Sequence, residues 1–520
     1  MKKFLLYIIV FSLLLSGCSV ISPKLEGVQI SLSDSKITVD GKEITSDSSQ
    51  AVYVANDIVF YLAGQDFTYG EGTLEDAHEQ NEADAHTVVH ITKPGRYVLS
   101  GELSLGQIAV DLGEDAEENP EAVVTLILNG VDITCTVAPA IIFYNVYECC
   151  SSDEETATKD VDTTKAGANV IIADGTENNI NGSYVAKIYK SYELNANGTK
   201  VVDSKKLHKY DGAFYSKKTL NISGGSKGNG ILNITAENEG LDSELHLTIN
   251  GGTINIVSGN DGINTNEDNV SVMTMNGGTL NILCNGRTGE GDGIDSNGWL
   301  VINGGTVIAQ ACATSADAGI DSDKGIYING GKVMASGNMF DHIAGGNQIY
   351  AVFSFATRQT GKDTYTLKSS SGEVVGEYVP SNAFTYLIIA GDELSPGEYT
   401  FWQGNTQLTA SAIQNMNGGM PQGVRPEMPN GAPPSQGNTP PNAPDGQGNP
   451  RHPNGESPQI PSGQPPEMSE GERPEMPEGM TPPNAMGGMM GGNMMANGEV
   501  SAIFTIEKGG NQFANVSPKR

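Results

Sequence analysis

The stretch "LTINGGTINIVSGNDGINTNEDN" (Leu247–Asn269) contains most of one unit of a repeat that decides the fold. Two short runs of alternating apolar and polar residues flank an Asn-Gly-Gly turn, and an acidic turn with an Asp-Gly-Ile step follows them. Asn-Gly-Gly recurs at Asn276, Asn303 and Asn329, and Ser-Gly-Gly precedes the series at Ser223. The successive turns are spaced by 27, 26, 27 and 26 residues. A near-constant period of this size is typical of a solenoid.

Each period has strand-like runs before the turn, after the turn and beside the acidic step, with no helical pattern between them. The sequence therefore predicts an all-β fold, a right-handed parallel β-helix with three short strands per coil of about 27 residues. Glycine is frequent, at 65 of 520 residues, and fits turns in which the backbone needs a positive φ. The alternative, a β-sandwich, would give meandering strands without a constant period.

The N-terminus has the pattern of a secretory signal. Lys2 and Lys3 precede an apolar run that ends in "LSGC" at Leu15–Cys18. This ending resembles a bacterial lipobox, which implies cleavage before Cys18 and a diacylglycerol on its sulfur. The alternative is a transmembrane anchor, for which the run is short. We therefore expect a protein on the extracellular face of the bacterial cell membrane, lipid-anchored through Cys18.

Composition and strand pattern divide the rest of the chain. The predicted segments are a signal peptide (1–17), a tether (18–50), the β-helix (51–347), a small antiparallel β cap (348–414), an insertion (415–498) and a final strand with a tail (499–520). The insertion is rich in Pro, Gly and Met, cannot bury a core, and is predicted to be disordered. Two loops, 148–165 and 184–211, are predicted to be solvated excursions from the β-helix.

The balance of charges limits the partners. Lys and Arg total 30 against 62 Asp and Glu, a formal net charge of −32. Such a surface repels nucleic acid and anionic membranes, and it suits cations or ligands that arrive with cations. The five cysteines after Cys18 have no zinc-type spacing and are predicted to be small buried residues. We expect a monomer.

The Gly-Ile or Gly-Leu step of each period carries acidic and amide residues on both sides. In a parallel β-helix, equivalent positions of successive coils stack about 4.8 Å apart. Bare carboxylates at that distance repel by about 3 kcal/mol at an effective dielectric constant of 20. A calcium ion that accepts carboxylate and amide oxygens would relieve this repulsion, although Asp and Asn also occupy ordinary solvated turns. The predicted metal ligands are Glu239, Asp242, Asp261, Asn264, Asp292, Asp295, Asp321 and Asp323.

An ordered series of blocks resembles one known family. The blocks include "KPGRYVLSGELSLGQIAVD", "IIADGTENNI", "DGAFYSKKTLNISG", "ENEGLDSELHLTINGGTINI" and "NDGINTNEDNV", and they extend over residues 52–410. They resemble the clostridial-type carbohydrate-binding β-helix domain of bacterial surface and secreted proteins. The resemblance implies a pectate-lyase-like fold and calcium-dependent binding of cellulose or acidic plant polysaccharides such as pectin. The two loops and the insertion depart from a compact member of that family.

Two further functions remain open at this stage. A calcium-dependent polysaccharide lyase would need a basic side chain near the acidic coils, and Lys227, Arg287 and Lys324 are the candidates. A structural or adhesive envelope protein would need none of this chemistry. For a polysaccharide binder, Trp299 and Trp402 are the candidate residues for stacking on sugar rings.

Overall fold

The computed structural model describes residues 25–413 and 499–519. The predicted signal peptide, Cys18 and the predicted insertion lie outside the described residues. Within them the fold is nearly all β, which confirms that part of the prediction: 37 strands accompany one α-helix, Gln80–Ala83, and one 3-10 helix, Glu114–Glu118. Among the described residues, no helix has the length and apolar character needed to cross a membrane.

The strands follow one another closely along the chain. The first eleven are β1 (Val28–Leu32), β2 (Thr38–Val39), β3 (Lys42–Glu43), β4 (Val52–Ala55), β5 (Thr87–Ile91), β6 (Gly95–Leu103), β7 (Gly106–Val110), β8 (Val124–Cys135), β9 (Ile141–Phe143), β10 (Ala168–Ile172) and β11 (Glu177–Gly182). A hairpin follows, formed by β12 (Val185–Leu194) and β13 (Val201–Tyr210).

The periodic part of the chain supplies the next fifteen strands. They are β14 (Gly212–Ser216), β15 (Leu220–Gly224), β16 (Ile231–Ala236), β17 (Glu239–Ser243), β18 (Leu247–Ile249), β19 (Thr253–Ser258), β20 (Ile263–Thr265), β21 (Val272–Met275), β22 (Thr279–Cys284), β23 (Ile294–Ser296), β24 (Trp299–Ile302), β25 (Thr306–Gln310), β26 (Gly325–Ile328), β27 (Lys332–Gly337) and β28 (Ile343–Gly345).

The last nine strands lie beyond the repeat. They are β29 (Tyr350–Gln359), β30 (Tyr365–Ser369), β31 (Val374–Tyr378), β32 (Phe384–Ala390), β33 (Gly397–Gln403), β34 (Thr406–Ala412), β35 (Val500–Ser501), β36 (Phe504–Ile506) and β37 (Gly510–Pro518).

Strands of successive periods pair in parallel, in three rows. The first row, before the Gly-Gly turn, is β10, β15, β18, β21, β24 and β26, and the second row, after it, is β11, β16, β19, β22, β25 and β27. The third row is an eight-stranded sheet in the order β23-β20-β17-β14-β9-β7-β5-β4. In the first row, Leu220, Leu247, Met273, Leu300 and Ile326 are paired in succession, so the register has the spacing of the turns.

The inward positions of the rows form one hydrophobic core. Leu241, Ile263 and Ile294 of the third row are paired with one another and are fully buried. Each such side chain contributes about 1.5–3 kcal/mol by its removal from water. Because side chains alternate along a strand, the residues after them, Asp242, Asn264 and Asp295, project from the opposite face of the sheet. The packing of these apolar side chains in the core thus fixes the position of the column formed by Asp242, Asn264 and Asp295.

Glycine has two different roles in the repeat. The second glycine of each Asn-Gly-Gly turn is left-handed, with φ between 82° and 91°, as predicted. Gly262, at the acidic step, does not have a positive φ, so its role is not that of the turn glycines. A Cβ there would lie 2.2 Å from Ile282 Cγ2 and 2.6 Å from Gly293 O, so close packing between coils excludes a side chain.

Two ladders of asparagine side chains run along the rows. At the turns, Asn250, Asn276, Asn303 and Asn329 are joined by amide hydrogen bonds of 2.8–2.9 Å. In the second row, Asn179, Asn233, Asn255 and Asn281 are joined in the same way, again at 2.8–2.9 Å. Each amide donates to one neighbour and accepts from the other, so the ladders satisfy polar groups between stacked coils.

The two loops predicted to be solvated are built into the fold. Residues 185–210 form the β12–β13 hairpin, and Val185 and Ile188 at its base are buried. Three lysines of the hairpin form ion pairs with acidic residues outside it, and these contacts help to hold the hairpin against the rest of the fold. The pairs are Lys187 with Glu71, Lys206 with Glu244, and Lys209 with Asp211. In the other loop, Thr163 Oγ1 lies 2.8 Å from Thr248 Oγ1 of the first row.

Both ends of the repeat continue into further strands. Within the predicted tether, β1 pairs in parallel with β6. Beyond the repeat, β32 pairs antiparallel with β27 and β29, and β36 and β37 pair with β33, β34 and β29. A second hydrophobic core, rich in aromatic residues, fills this C-terminal part, where Phe353 stacks on Phe401 and Phe513.

Candidate metal centre

In the third row, the acidic and amide residues on the two sides of each Gly-Ile or Gly-Leu step form two columns. Asp242, Asn264 and Asp295 are directly paired across β17, β20 and β23. The residues before the glycines, Glu239, Asp261 and Asp292, form the second column, in which Gly240 N donates to Asp261 O and Gly262 N donates to Asp292 O. The alignment of the Gly-Ile and Gly-Leu steps therefore corresponds to the stacking in the structure.

Three carboxylates form a compact group, here called the acid group: Glu239 and Asp242 of β17, and Asp211, the residue before the adjacent strand β14. One carboxylate oxygen of each lies within 4.8 Å of the others, and all three residues are buried. Two oxygens that are each 2.3–2.6 Å from one calcium ion can be at most about 5 Å apart, so these distances suit a shared ion.

The acid group contains oxygens that the protein does not satisfy. Glu239 Oε1 accepts from Asn264 Nδ2 at 3.1 Å, and Asp242 Oδ1 accepts from Asn266 Nδ2 at 2.6 Å. The other oxygens, Glu239 Oε2 and Asp242 Oδ2, are buried without a hydrogen-bond partner, and so is Asn264 Oδ1. Leaving a buried polar atom unsatisfied costs about 1–3 kcal/mol, and more for a charge. Three such oxygens close together are atoms that a hard cation could accept as ligands.

The pKa values of the acid group also suggest that a cation would bind there favourably. Burial, together with the nearby charges of Asp242, Asp211 and Asp261, raises the pKa of Glu239 well above its ordinary value. Burial and the charges of Asp211 and Glu244 likewise raise the pKa of Asp242. Burial also raises the pKa of Asp211, against the opposing effect of Lys209. Bound cation charge would lower all three pKa values again.

A lysine of the hairpin supplies one positive charge at the edge of the acid group. Lys209 Nζ lies 2.6 Å from Asp211 Oδ2, and its side chain is 44% exposed. Burial alone would lower the pKa of Lys209, but Asp211 outweighs burial and the pKa is raised. One ammonium group cannot balance three carboxylates, so the acid group has an excess of negative charge whenever all three are ionised.

The donor set fits a hard cation. Asp211, Glu239 and Asp242 offer carboxylate oxygens, and Asn264 adds an amide oxygen. Calcium takes six to eight oxygen ligands, and water or an external ligand can supply those that protein atoms do not. The absence of His and Cys from the group argues against zinc and copper. These four residues would therefore hold calcium in preference to a transition metal.

The other predicted ligands lie further along the same edge. Two of them bond to backbone: Asp261 Oδ1 accepts from Asp292 N at 2.7 Å, and Asp292 Oδ1 accepts from Ala318 N. Burial and neighbouring acids raise the pKa of Asp261 and Asp292, and that of Asp321 rises to about 7. Asp295 and Asp323 contribute to the charge around Asp321. Across the described parts of the chain, these five do not bring three ligand atoms within 4.8 Å of one another.

Asp211 is the member of the acid group that sequence reasoning missed. Asp211 does not align with the acidic residues of the later periods, because Gly212-Ala213-Phe214 has one residue more than the corresponding Gly240-Leu241 of the next period. Phe214 is paired with Leu241, and Gly212 with Glu239. The Asp-Gly dipeptide itself was the available signal, since it matches the acidic residue and glycine of the later steps.

Two of the three basic residues proposed for a lyase have side-chain contacts outside the acid group. Arg287 Nη1 pairs with Glu237 Oε1 at 2.9 Å, and Lys324 Nζ lies 5.2 Å from the centroid of the Trp299 ring. The backbone N–H of Lys227 donates to Asp174. Lys209 is a basic side chain in direct contact with the acid group, and its raised pKa keeps it protonated.

The two tryptophans lie in different parts of the fold. Trp299 begins β24 of the first row, and Trp402 lies in β33 of the C-terminal part. Both are half-buried and both carry a lysine over one ring face, with Lys368 Nζ 5.0 Å from the Trp402 centroid. A sugar could stack only on the remaining face of either ring.

Comparison with known proteins identifies the family. The model of the carbohydrate-binding domain-containing proteins matches residues 84–352, more than half of the chain. The chain therefore belongs to this family, and the prediction of a carbohydrate-binding domain family is confirmed.

Two individual proteins are similar to parts of the chain. A carbohydrate-binding domain-containing protein of Acetivibrio thermocellus is 30% identical over 169 residues, which are 32% of this chain and 44% of that protein. The chain thus matches less than half the length of that curated relative. A solved structure described as the polysaccharide lyase-like protein from C. thermocellum, a gadolinium derivative, is 20% identical. It covers 62% of this chain and 93% of that one, with a TM-score of 0.34.

Proposed function

We propose that this protein binds polysaccharide at the bacterial cell surface with calcium held by the acid group. The observation that carries the proposal is the set of three buried, unpartnered oxygens on Glu239, Asp242 and Asn264. Membership of a carbohydrate-binding family supports a glycan as the partner, and the acid group is the reason for proposing calcium.

The proposed ligand is an acidic, extended glycan such as pectin, with cellulose as the neutral alternative. A protein with a net charge of −32 repels a polyuronate unless cations lie between them. Calcium held by Asp211, Glu239 and Asp242 could also accept uronate carboxylate oxygens in the ligand positions that the protein leaves open. Asp295 and Asp321 continue the acidic edge along the direction in which a chain of sugars would extend.

The proposed scaffold is a right-handed parallel β-helix. The three rows of parallel pairs support it, because three successive periods, β15–β17, β18–β20 and β21–β23, each contain one strand of every row. Such a scaffold places one acidic residue per coil along a straight edge. We further propose that the mature protein is anchored through a lipid on Cys18 at the extracellular face of the membrane, which would present this edge to polysaccharide outside the cell.

Binding is favoured over lyase chemistry by one observation. A lyase needs a neutral base to remove the proton beside the uronate carboxyl group, and Lys209 at the acid group is held protonated by Asp211. General-base catalysis works best when the pKa of the base lies near the operating pH. Among the described residues, the lysine in contact with the acid group is therefore poorly suited to act as that base.

Affinity electrophoresis in gels that contain polygalacturonate or a soluble cellulose derivative tests the proposal. We expect calcium to retard the wild-type protein and EGTA to abolish the retardation. Asp242→Asn should migrate freely, whereas Glu267→Gln, an exposed acid in the next coil, should behave as wild type. Retardation that is unchanged by EGTA would contradict a role for calcium in polysaccharide binding. Formation of unsaturated uronate products would instead identify a lyase.

A further inference from the structure

Two consecutive cysteines at the start of the 148–165 loop are in direct sulfur contact. Cys149 Sγ and Cys150 Sγ lie 2.9 Å apart, and both side chains are half-buried. Together they line a pocket of about 230 Å³, with Asp160, Asp162, His246 and Val270 among its other residues. The other described cysteines, Cys135, Cys284 and Cys312, are buried. Cys149 and Cys150 thus combine access to solvent with a partner thiol.

We propose that Cys149 and Cys150 form a reversible redox pair that closes to a vicinal disulfide. The reaction is exchange with a small external disulfide. One protein thiolate attacks that disulfide and releases one external thiol; the second protein thiol then loses its proton, displaces the other external thiol and completes the ring. The two protein thiols are oxidised, and one external disulfide is reduced to two thiols. The inference is independent of the proposed calcium site.

The environment assigns the two thiols different roles. A hydrogen bond from Cys150 lowers the pKa of Cys149, whereas the same contact and burial raise the pKa of Cys150. The thiolate is the attacking species in thiol–disulfide exchange. Cys149 is therefore the residue that attacks first, and Cys150 is the residue that resolves the mixed disulfide.

The geometry makes the disulfide labile. Consecutive Cα atoms are 3.8 Å apart across a trans peptide, shorter than the 4.4–6.8 Å of ordinary disulfides. A ring closed at that distance is strained, and strained or exposed disulfides are the readily reduced ones. The pair therefore suits a reversible function better than a permanent cross-link.

A metal site is the competing interpretation of the same residues. Glu148 is the third group with a ligand atom close to both sulfurs. Its oxygens are already used, since Oε1 accepts from Cys150 N and Thr219 Oγ1, and Oε2 accepts from Thr219 N. A structural zinc ion needs four ligands, and here two adjacent thiolates would have to hold it without Glu148. The hydrogen bonds of Glu148 thus favour the disulfide.

Peptide mass mapping of the full-length protein tests the inference. The reduced protein is treated with oxidised glutathione, quenched with acid, denatured and alkylated with iodoacetamide. We expect the peptide that contains Cys149 and Cys150 to lose both alkylation sites and two hydrogen atoms, and dithiothreitol to restore them. The peptides of Cys135 and Cys284 should stay fully alkylated, which controls for general oxidation.

Two variants test the order of the steps. Cys150→Ser should accumulate a glutathione adduct on Cys149, whereas Cys149→Ser should form an adduct at least tenfold more slowly. A wild-type pair that stays fully alkylated, or that keeps a stable adduct without ring closure, would overturn the inference. So would one equivalent of zinc that copurifies and keeps both thiols from reacting with oxidised glutathione. The wild-type result stands even if either variant folds poorly.

Discussion

Lys209 Nζ lies 2.6 Å from Asp211 Oδ2, so the β12–β13 hairpin places a positive charge at the edge of the buried acid group. This contact connects an element that interrupts the repeat with the carboxylates that the repeat creates. Lys209 and a calcium ion would both neutralise the acid group. Because two cations near the same carboxylates repel, the lysine would weaken the binding of calcium.

Lys209→Met should therefore have opposite effects with and without calcium. The calcium-free variant should lose about 1 kcal/mol of unfolding free energy, a modest value because the lysine is partly exposed. The stabilisation by calcium should become larger than in wild type. Urea unfolding in EGTA and in calcium measures both quantities. Lys205→Met, an exposed lysine on the same strand, is the control, and equal behaviour of the two variants would show that the contact has no role.

The raised carboxyl pKa values predict how stability depends on pH. Burial raises the pKa of Asp321 from 3.8 to about 7, and the pKa values of Glu239 and Asp242 are raised as well. Between about pH 4 and pH 7 these carboxyl groups therefore bind more protons in the folded protein than in the unfolded chain, and the stability that they contribute falls as pH rises. Calcium should flatten this dependence by lowering the folded-state pKa values.

Thermal melting between pH 4.5 and pH 7.5 measures the effect. In EGTA the melting temperature should decrease across this range, and in calcium it should decrease much less. Asp321→Asn should reduce the slope in EGTA, because one of the titrating groups is removed. A calcium-free melting temperature that rises with pH would contradict the raised pKa values.

Each asparagine of the second-row ladder should contribute to stability according to the number of ladder hydrogen bonds that it makes. Asn255→Ala breaks two hydrogen bonds of 2.8 Å and leaves the amides on both sides without that partner. We expect a loss of about 1–2 kcal/mol. Asn281→Ala, at the end of the ladder, breaks one of these bonds and should cost about half as much. Denaturant unfolding of both variants gives the comparison, and equal losses would argue against a ladder.

The glycine of the acidic step should tolerate no side chain. Gly262→Ala places a Cβ 2.2 Å from Ile282 Cγ2 and 2.6 Å from Gly293 O, which forces adjacent coils apart. The expected loss is about 3 kcal/mol. Gly391→Ala is the control, since the nearest atom to its Cβ would be 3.9 Å away. If thermal melting finds both variants equally stable, close packing is not the reason for the glycine.

The sequence predicted the fold best where its repeat is regular. The period of the Asn-Gly-Gly turns is the register of the first row, and the residues after each Gly-Ile or Gly-Leu step form a paired column, as Asp242 and Asn264 show. Regular spacing was informative because each coil repeats the same backbone contacts.

Features that depend on contacts distant in the sequence were not predicted. Asp211 was missed because the extra residue Ala213 shifts its strand relative to the pattern. The hairpin appeared to be a solvated loop because the acidic partners of its lysines, such as Glu71, are far away in sequence. The role of Gly262 depends on Ile282, one coil further on. None of these contacts leaves a periodic signal.

Calorimetric titration of calcium into the EDTA-stripped protein tests the central claim most directly. We expect a bound calcium in wild type and in Glu267→Gln. Asp242→Asn removes one of the three carboxylates and should weaken that binding at least about tenfold. Circular dichroism of the same samples ensures that all three proteins are folded. The absence of calcium binding in wild type, or equal binding in Asp242→Asn, would contradict the assignment of the acid group as a calcium site.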